Sequence, residues 1–116
     1  MINPQRGDIW YLKLDPTVGS EIQKTRPVIV ISSNALGRLP VRLIVPITAW
    51  RDNYIQSHWR IKIDPDNKNN LDKTSAADTL QTRCAALERF KNKIGFVSAI
   101  VMEEIVNALA GIIEYQ

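Results

Sequence analysis

Apolar residues form short β-type runs through most of the chain and a helical pattern at its end. Residues 9–14 and 28–31 are apolar runs bounded by turn residues, and the β-branched continuity of 28–31 predicts a strand buried on both faces. Residues 41–48 predict a third strand, in which Pro46 indicates an edge position or a bulge. Residues 59–63 alternate apolar with basic side chains, which predicts a half-exposed strand.

The remaining segments give weaker patterns until the final helix. Residues 17–25 and the polar stretch 64–70 predict connections without regular structure. A further strand of poor propensity is predicted over 75–84, followed by a single helical turn at 87–90. From Ser98, a plausible cap, apolar residues recur at helical spacing and predict an amphipathic helix. Strands first and a helix last favour a compact antiparallel barrel or coiled sheet of the α+β class.

Composition favours one ordinary globular domain over residues 1–116. Hydrophobic residues make up 45% and charged residues 23% of the chain, which excludes a disordered or fibrous protein. Cys84 is the only cysteine, so no intrachain disulfide can form, and no Cys/His cluster could bind zinc. No run resembles a signal peptide or a membrane span. We therefore expect a soluble, cytoplasmic protein without a metal or cofactor.

The net charge of +3 and the estimated pI of about 9.2 give a weak indication of a polyanionic partner. Basic residues fall largely in or beside the β-rich part, whereas Glu103 and Glu104 lie near the carboxyl end. A normally solvated basic surface explains the charge equally well.

Four sets of residues, in this order and spacing, resemble the MazF/PemK family of toxin–antitoxin toxins. They are Arg6-Gly7-Asp8-Ile9-Trp10 with Leu14-Asp15-Pro16 and Gly19-Ser20-Glu21; Thr25-Arg26-Pro27-Val28-Ile29-Val30-Ile31; Val45-Pro46-Ile47-Thr48; and Ser75 with Gln81-Thr82-Arg83. The resemblance implies an SH3-like antiparallel barrel with a carboxyl-terminal helix, a homodimer, and inhibition by a cognate antitoxin. It also implies a toxin that inhibits translation and growth by sequence-specific cleavage of single-stranded RNA, with mRNA as the target.

Arg26 and Thr48 match the catalytic arginine and threonine of that family. The planar guanidinium of Arg26 offers five donors that suit phosphate oxygens, so we expect it to stabilise the transition state. The Thr48 hydroxyl could donate to a non-bridging phosphate oxygen. Alternatively, Arg26 merely pairs with an acidic side chain, and Thr48 is an ordinary strand-end residue.

RNA cleavage without a metal also needs a base for the 2′-hydroxyl and an acid for the 5′-oxygen, with a 2′,3′-cyclic phosphate and a 5′-hydroxyl as products. Many relatives carry an acidic residue where this chain has Leu80. Asp78, on the same face of a regular strand, is the nearest substitute, although it could be a solvated strand-edge residue. His58 is isolated, and a surface position or an RNA contact is the alternative to a catalytic role.

The segment from Trp50 to Gln56 combines aromatic and basic side chains that could stack on unpaired bases and bind phosphates. Equally, its aromatic residues could belong to a dimer or antitoxin surface. Gln81 and Arg83 share one face of the predicted strand and suit base-edge and phosphate contacts. The predicted RNA-binding residues are Glu21, Lys24, Trp50, Arg51, Tyr54, Gln81 and Arg83.

Two other classes of function compete with the enzyme. The same small barrel could bind nucleic acid or inhibit a protein target without cutting RNA, because fold does not dictate activity. A structural subunit that only dimerises is the third possibility. The presence of both Arg26 and Thr48 favours the enzyme, and Leu80 in place of an acidic residue is the main point against it.

Overall fold

A computed structural model describes residues 2–115, so the two terminal residues of the expected 1–116 domain lie outside the description. Short 3₁₀ turns lie at Asn34–Leu36, Asp52–Gln56, Thr79–Gln81 and Leu87–Arg89. The strands are β1 (Asp8–Lys13), β2 (Thr25–Val30), β3 (Val41–Ala49), β4 (Arg60–Ile63), β5 (Ser75–Asp78), β6 (Arg83–Ala86) and β7 (Phe90–Phe96), and α1 (Ala99–Ile112) is an α-helix.

All strand pairs are antiparallel, and the hydrogen-bonded path runs β4-β5-β3-β2-β1-β7, with β6 also paired to β3. This confirms the predicted α+β architecture with a mainly β fold and a carboxyl-terminal helix. The word barrel fits only loosely, because β4 and β7 end the path without pairing to each other in residues 2–115. The strands are better described as one open seven-stranded sheet.

The predicted strand over 75–84 is wrong as a single strand, because the 3₁₀ turn Thr79–Gln81 divides it into β5 and β6. Both pieces pair with the same edge of β3, β6 with residues 41–44 and β5 with residues 47–49. Pro46 is therefore not in an edge strand, since β2 pairs with it from the other side. Pro46 lies opposite the break between β5 and β6, so the N–H that proline lacks is not needed for a hydrogen bond to either strand.

Burial of β2 on both faces, expected from its sequence, is confirmed. Val28 and Val30 pack into a cluster in which the Trp10 and Phe90 rings meet edge to face, with centroids 5.6 Å apart. Ile29 packs into a second cluster, on the side that α1 covers. Alternate residues of one strand thus contribute to two separate parts of the core.

The final helix begins where the sequence predicts. The Ser98 hydroxyl accepts a hydrogen bond from the Val101 N–H at 3.1 Å, which caps the first turn. Met102 and Ile105 are the buried residues of α1, and Ile105 is fully inaccessible to solvent. In residues 2–115, neither α1 nor any 3₁₀ turn is long and apolar enough to cross a membrane. A cytoplasmic location stays a prediction.

Strand β7 was not predicted, because its sequence FKNKIGF alternates poorly. It pairs with β1, where Lys93 lies opposite Trp10 and its ammonium is 3.3 Å from the Asp8 carboxylate. The other oxygen of Asp8 accepts hydrogen bonds from the Gln5 N–H and the Trp10 indole N–H. Asp8 of the first family motif therefore stabilises the start of β1.

The polar connection 64–70 is ordered by side-chain hydrogen bonds to its own backbone. The Asp66 carboxylate accepts from the N–H groups of Asn69 and Lys68, and these two bonds, the Asn69 bond first, lower the pKa of Asp66. Because the charged form is favoured in the folded chain, this contribution to stability is present above the unfolded pKa and is lost as pH falls through the folded one. The buried amide of Asn69 in turn bonds the backbone of Asp64, Asp66 and Leu71.

We expect Gly95→Ala to destabilise the fold. A Cβ at position 95 would lie 2.2 Å from the Lys68 carbonyl oxygen and 3.0 Å from Asn69 backbone atoms. The backbone of residues 68–69 would have to move to relieve this clash. The free energy of unfolding should fall by about 1–3 kcal/mol or more. Gly111→Ala is the matched control, since its Cβ would meet nothing within 4 Å and alanine favours the helix. Equal thermal stability of the two variants would contradict the expectation.

Candidate active site

The β2–β3 register brings Arg26 and Thr48 together. Pairing between β2 and β3 starts at Val28, opposite Pro46; the same register continued by two residues leads from Arg26 to Thr48, and both side chains line the same two pockets. Both side chains are half-buried. The two residues that the family resemblance singles out thus lie side by side, although 22 positions of sequence numbering separate them.

Two adjoining pockets, each of about 290 Å³, share Arg26, Thr48 and Ala49 as lining residues. The first extends toward residues 70–73 and Ser75. The second is lined further by Ser20, Ile22, Arg51, Tyr54, Arg60, Asp78 and Gln81. We call the two together the Arg26 groove.

Arg26 is not taken up by a carboxylate. Its Nε donates to the carbonyl oxygen of Gln23 at 3.1 Å, and within residues 2–115 it forms no salt bridge with an acidic side chain. The alternative in which Arg26 merely pairs with an acidic residue finds no support in this geometry. Its terminal nitrogens remain available to a ligand in the groove.

Asp78 borders the groove, but not as a solvated strand-edge residue. Its side chain is only 10% exposed, and Oδ2 lies 3.4 Å from Nε of Arg60. Oδ1 accepts a hydrogen bond from the Leu80 N–H at 3.2 Å, at the start of the 3₁₀ turn. The expectation that Asp78 and Leu80 share the face of a regular strand is wrong, because that turn separates them and leaves Leu80 exposed.

The turn also removes the predicted common strand face of Gln81 and Arg83. Both polar atoms of the Gln81 side-chain amide bond the β1–β2 loop, since Oε1 accepts from the Ile22 N–H and Nε2 donates to the Ser20 carbonyl oxygen, each at 3.1 Å. Nη1 of Arg83 donates to the Leu14 carbonyl oxygen at the start of the same loop. These side chains hold the loop in place.

Two further predicted RNA-binding residues lie in the β1–β2 loop itself. The Glu21 carboxylate accepts a hydrogen bond from the Val18 N–H at 2.7 Å. Lys24 is exposed and has a positive φ of 72°, and its N–H donates to the Asp15 carboxylate. RNA contacts by these loop residues, and by Gln81 and Arg83, stay predictions.

The aromatic and basic segment forms one end of the groove. Arg51 and Tyr54 line the groove, and the rings of Trp50 and Tyr54 meet edge to face at 5.7 Å. Trp50 and His58 line a neighbouring pocket instead, which shares Tyr54 and Arg60 with the groove. The structure therefore does not bring His58 together with Arg26 and Thr48.

Sequence reasoning missed Arg60, which also lines the groove. Its guanidinium carbon lies 4.1 Å from the centroid of the Tyr54 ring, and Nη1 donates to the Ser57 hydroxyl at 2.9 Å. The alternating pattern of residues 59–63 predicts that Arg60 lies in a strand. Its pairing with Asp78 follows only from the β4–β5 register.

Residues 5–113 match the model of a family described as PemK-like, MazF-like toxin of type II toxin–antitoxin system. This chain belongs to that family. The match covers all four motifs and confirms the resemblance of the sequence to the MazF/PemK family. Within residues 2–115 of this MazF-like toxin, no group of three or more His, Cys, Asp or Glu side chains could hold a metal ion.

A curated relative and two solved structures are also similar to this MazF-like toxin. Endoribonuclease MazF of Staphylococcus saprophyticus is 30% identical over 105 residues, which cover 90% of this chain and 87% of the relative. MazF from Deinococcus radiodurans superposes with a TM-score of 0.81 at 20% identity, covering 98% of this chain and 99% of that one. An endoribonuclease from mycobacterial species, solved with its cognate antitoxin, gives 0.77 at 17% identity and 98% of each chain. These two structures confirm the fold.

Proposed function

We propose that this MazF-like toxin is an endoribonuclease that cleaves single-stranded RNA, with mRNA as its target, at selected sequences. Cleavage inhibits translation and growth, and a cognate antitoxin restrains it. The observation that carries the proposal is the placement of Arg26 and Thr48 side by side in one groove. The similar protein of Staphylococcus saprophyticus is named an endoribonuclease, which supports it.

The groove suits attack by the ribose 2′-hydroxyl on the adjacent phosphorus. A bond forms from the 2′-oxygen to phosphorus and the bond from phosphorus to the 5′-oxygen breaks, which gives a 2′,3′-cyclic phosphate and a 5′-hydroxyl. One proton leaves the 2′-hydroxyl and one joins the departing 5′-oxygen, so the overall step is balanced and consumes no other reagent. Arg26 stabilises the charge that develops on the phosphate oxygens, and Thr48 donates a hydrogen bond to one of them. Asp78 belongs to the site because it borders the same groove.

Substrate binding would use the side chains around the groove. Arg51 is exposed beside it and can contact a phosphate, and the rings of Tyr54 and Trp50 can stack on unpaired bases. Lys24 adds a positive charge at the end of the β1–β2 loop. Glu21, Gln81 and Arg83 contribute through the loop that they hold, at whose tip Ser20 lines the groove.

Arg26 should act mainly in the transition state. We expect Arg26→Ala to lower single-turnover cleavage of a short RNA by at least about 10²–10³-fold, with a much smaller loss of affinity. Arg26→Lys keeps the charge but not the planar fork, so it should recover little activity. Arg51→Ala should mainly weaken binding and reduce its salt dependence. A folded Arg26→Ala variant that cuts at nearly the wild-type rate would favour a non-catalytic binding module.

Cleavage should not depend on a divalent metal or on any cofactor, because Arg26 and Thr48 supply the stabilisation and the ribose supplies the nucleophile. We expect full activity in EDTA on a mixed-sequence RNA. A substrate with 2′-deoxyribose at the cleavage position should resist, and the products should carry the cyclic phosphate. Activity that requires added magnesium, or cutting of the deoxy substrate, would contradict this chemistry.

We also propose a homodimer. Helix α1 buries Met102 and Ile105 but leaves Ile100 and Val106 exposed, as is Ile113 at its C-cap, so part of the apolar surface at the carboxyl end is uncovered in one chain. Light scattering at micromolar concentration should give twice the 13.2 kDa chain mass. A mass of one chain throughout that range would count against the dimer.

A further inference from the structure

Arg60 is held on three sides. Its Nε faces the Asp78 carboxylate at 3.4 Å, Nη1 donates to the Ser57 hydroxyl at 2.9 Å, and the Tyr54 ring lies 4.1 Å from the guanidinium carbon. Arg60 and Asp78 also lie directly opposite each other in the β4–β5 register. A side chain fixed in this way has lost most of its rotamer freedom before any ligand binds.

The same side chain faces the Arg26 groove. Its contacts within residues 2–115 use Nε, Nη1 and the face of the guanidinium, which leaves Nη2 for a ligand. Arg26, Arg51 and Arg60 all line the half of the groove that Asp78 borders. Three guanidinium groups against one carboxylate give this half a positive charge that suits an anion with more than one phosphate.

We propose that Arg60 binds an RNA phosphate next to the one held by Arg26, and that Asp78 is the positioning residue that orients its guanidinium. This inference rests on the function proposed above and gives Asp78 a role different from that of a general base. Both carboxylate oxygens of Asp78 are already engaged, one by Arg60 and the other by the Leu80 N–H. The carboxylate thus fixes the direction of the Arg60 fork.

The geometry also accounts for an arginine rather than a lysine at position 60. A planar fork can bond Asp78 and Ser57 through two nitrogens, stack on Tyr54 and still present a donor to phosphate. An ammonium group, which is a compact point charge, would keep the attraction to Asp78 without this fixed direction. The buried Asp78 carboxylate therefore serves to orient Arg60 more than to stabilise the fold.

Arg60→Ala and Arg60→Lys test the phosphate contact. We expect Arg60→Ala to weaken binding of a short single-stranded RNA about 10-fold or more and to raise KM, with kcat within about threefold of wild type. The slope of log affinity against log salt should fall by about 0.7, the share of one phosphate contact. Arg60→Lys should restore only part of the affinity. Arg38→Ala, an exposed arginine that lines neither half of the groove, is the charge-matched control.

Asp78→Asn and Asp78→Ala separate the two roles of the carboxylate. If Asp78 were the general base, its substitution would lower the cleavage rate about 10²–10⁴-fold and would abolish the acidic limb of the pH–rate profile. For a positioning residue, Asp78→Asn should keep kcat within about threefold, with an unchanged pH profile. Asp78→Ala should weaken binding as Arg60→Ala does, and the double variant should bind no more weakly than Arg60→Ala alone. The double variant also avoids leaving a buried charge unpaired, which could unfold the Arg60→Ala protein.

Failure of this inference differs from failure of the proposed function. Binding is measured on an RNA with 2′-deoxyribose at the cleavage position, so it is read without cleavage. Wild type that cuts no RNA would remove the proposed function, while a binding loss in Arg60→Ala would still support the phosphate contact. Unchanged affinity and salt slope in Arg60→Ala and Arg60→Lys, or a lost acidic limb in Asp78→Asn, would overturn the inference.

Discussion

The change from polar to apolar residues within β2 is the constraint on which the site depends. The strand begins with Thr25 and Arg26 at its accessible end and continues into Val28–Val30, which is buried on both faces. Sliding β2 further into the core would bury a guanidinium without a partner, and sliding it outward would expose valine and isoleucine. The register against β3 is therefore held from both directions, and its continuation toward the start of β2 leads Arg26 into the groove that Thr48 also lines.

Thr48 lies where β3 changes partners. Near its beginning β3 pairs with β6, in its middle with β2, and at its end, including Thr48, with β5. The break at Thr79–Gln81 lies between β5 and β6, and it provides both the Asp78 end of the groove and the Gln81 contact to the β1–β2 loop. Departure from regular pairing thus supplies the space and the side chains of the site.

Patterns that depend on neighbouring residues could be predicted from the sequence, and those that depend on distant pairing could not. The two-sided burial of β2, the Ser98 cap and the apolar face of α1 follow from local spacing. Arg26 and Thr48 were found through family motifs alone. Strand β7 was missed because polar residues and a glycine dominate it, although β1 and the 64–70 connection hold it in place. The Arg60–Asp78 pair needs the β4–β5 register, which no local pattern contains.

The side chains that fasten the β1–β2 loop from β6 and the turns beside it bond to the backbone of the loop. Gln81 bonds main-chain atoms of Ser20 and Ile22, and the guanidinium groups of Arg83 and Arg89 bond carbonyl oxygens between Lys13 and Asp15. Hydrogen bonds to main-chain atoms do not depend on the side chain of the residue that is bound. The exposed side chain of Ser20 can therefore be exchanged during evolution while the loop keeps its path, so that a new preference for RNA sequence can arise without rebuilding the scaffold around Arg26.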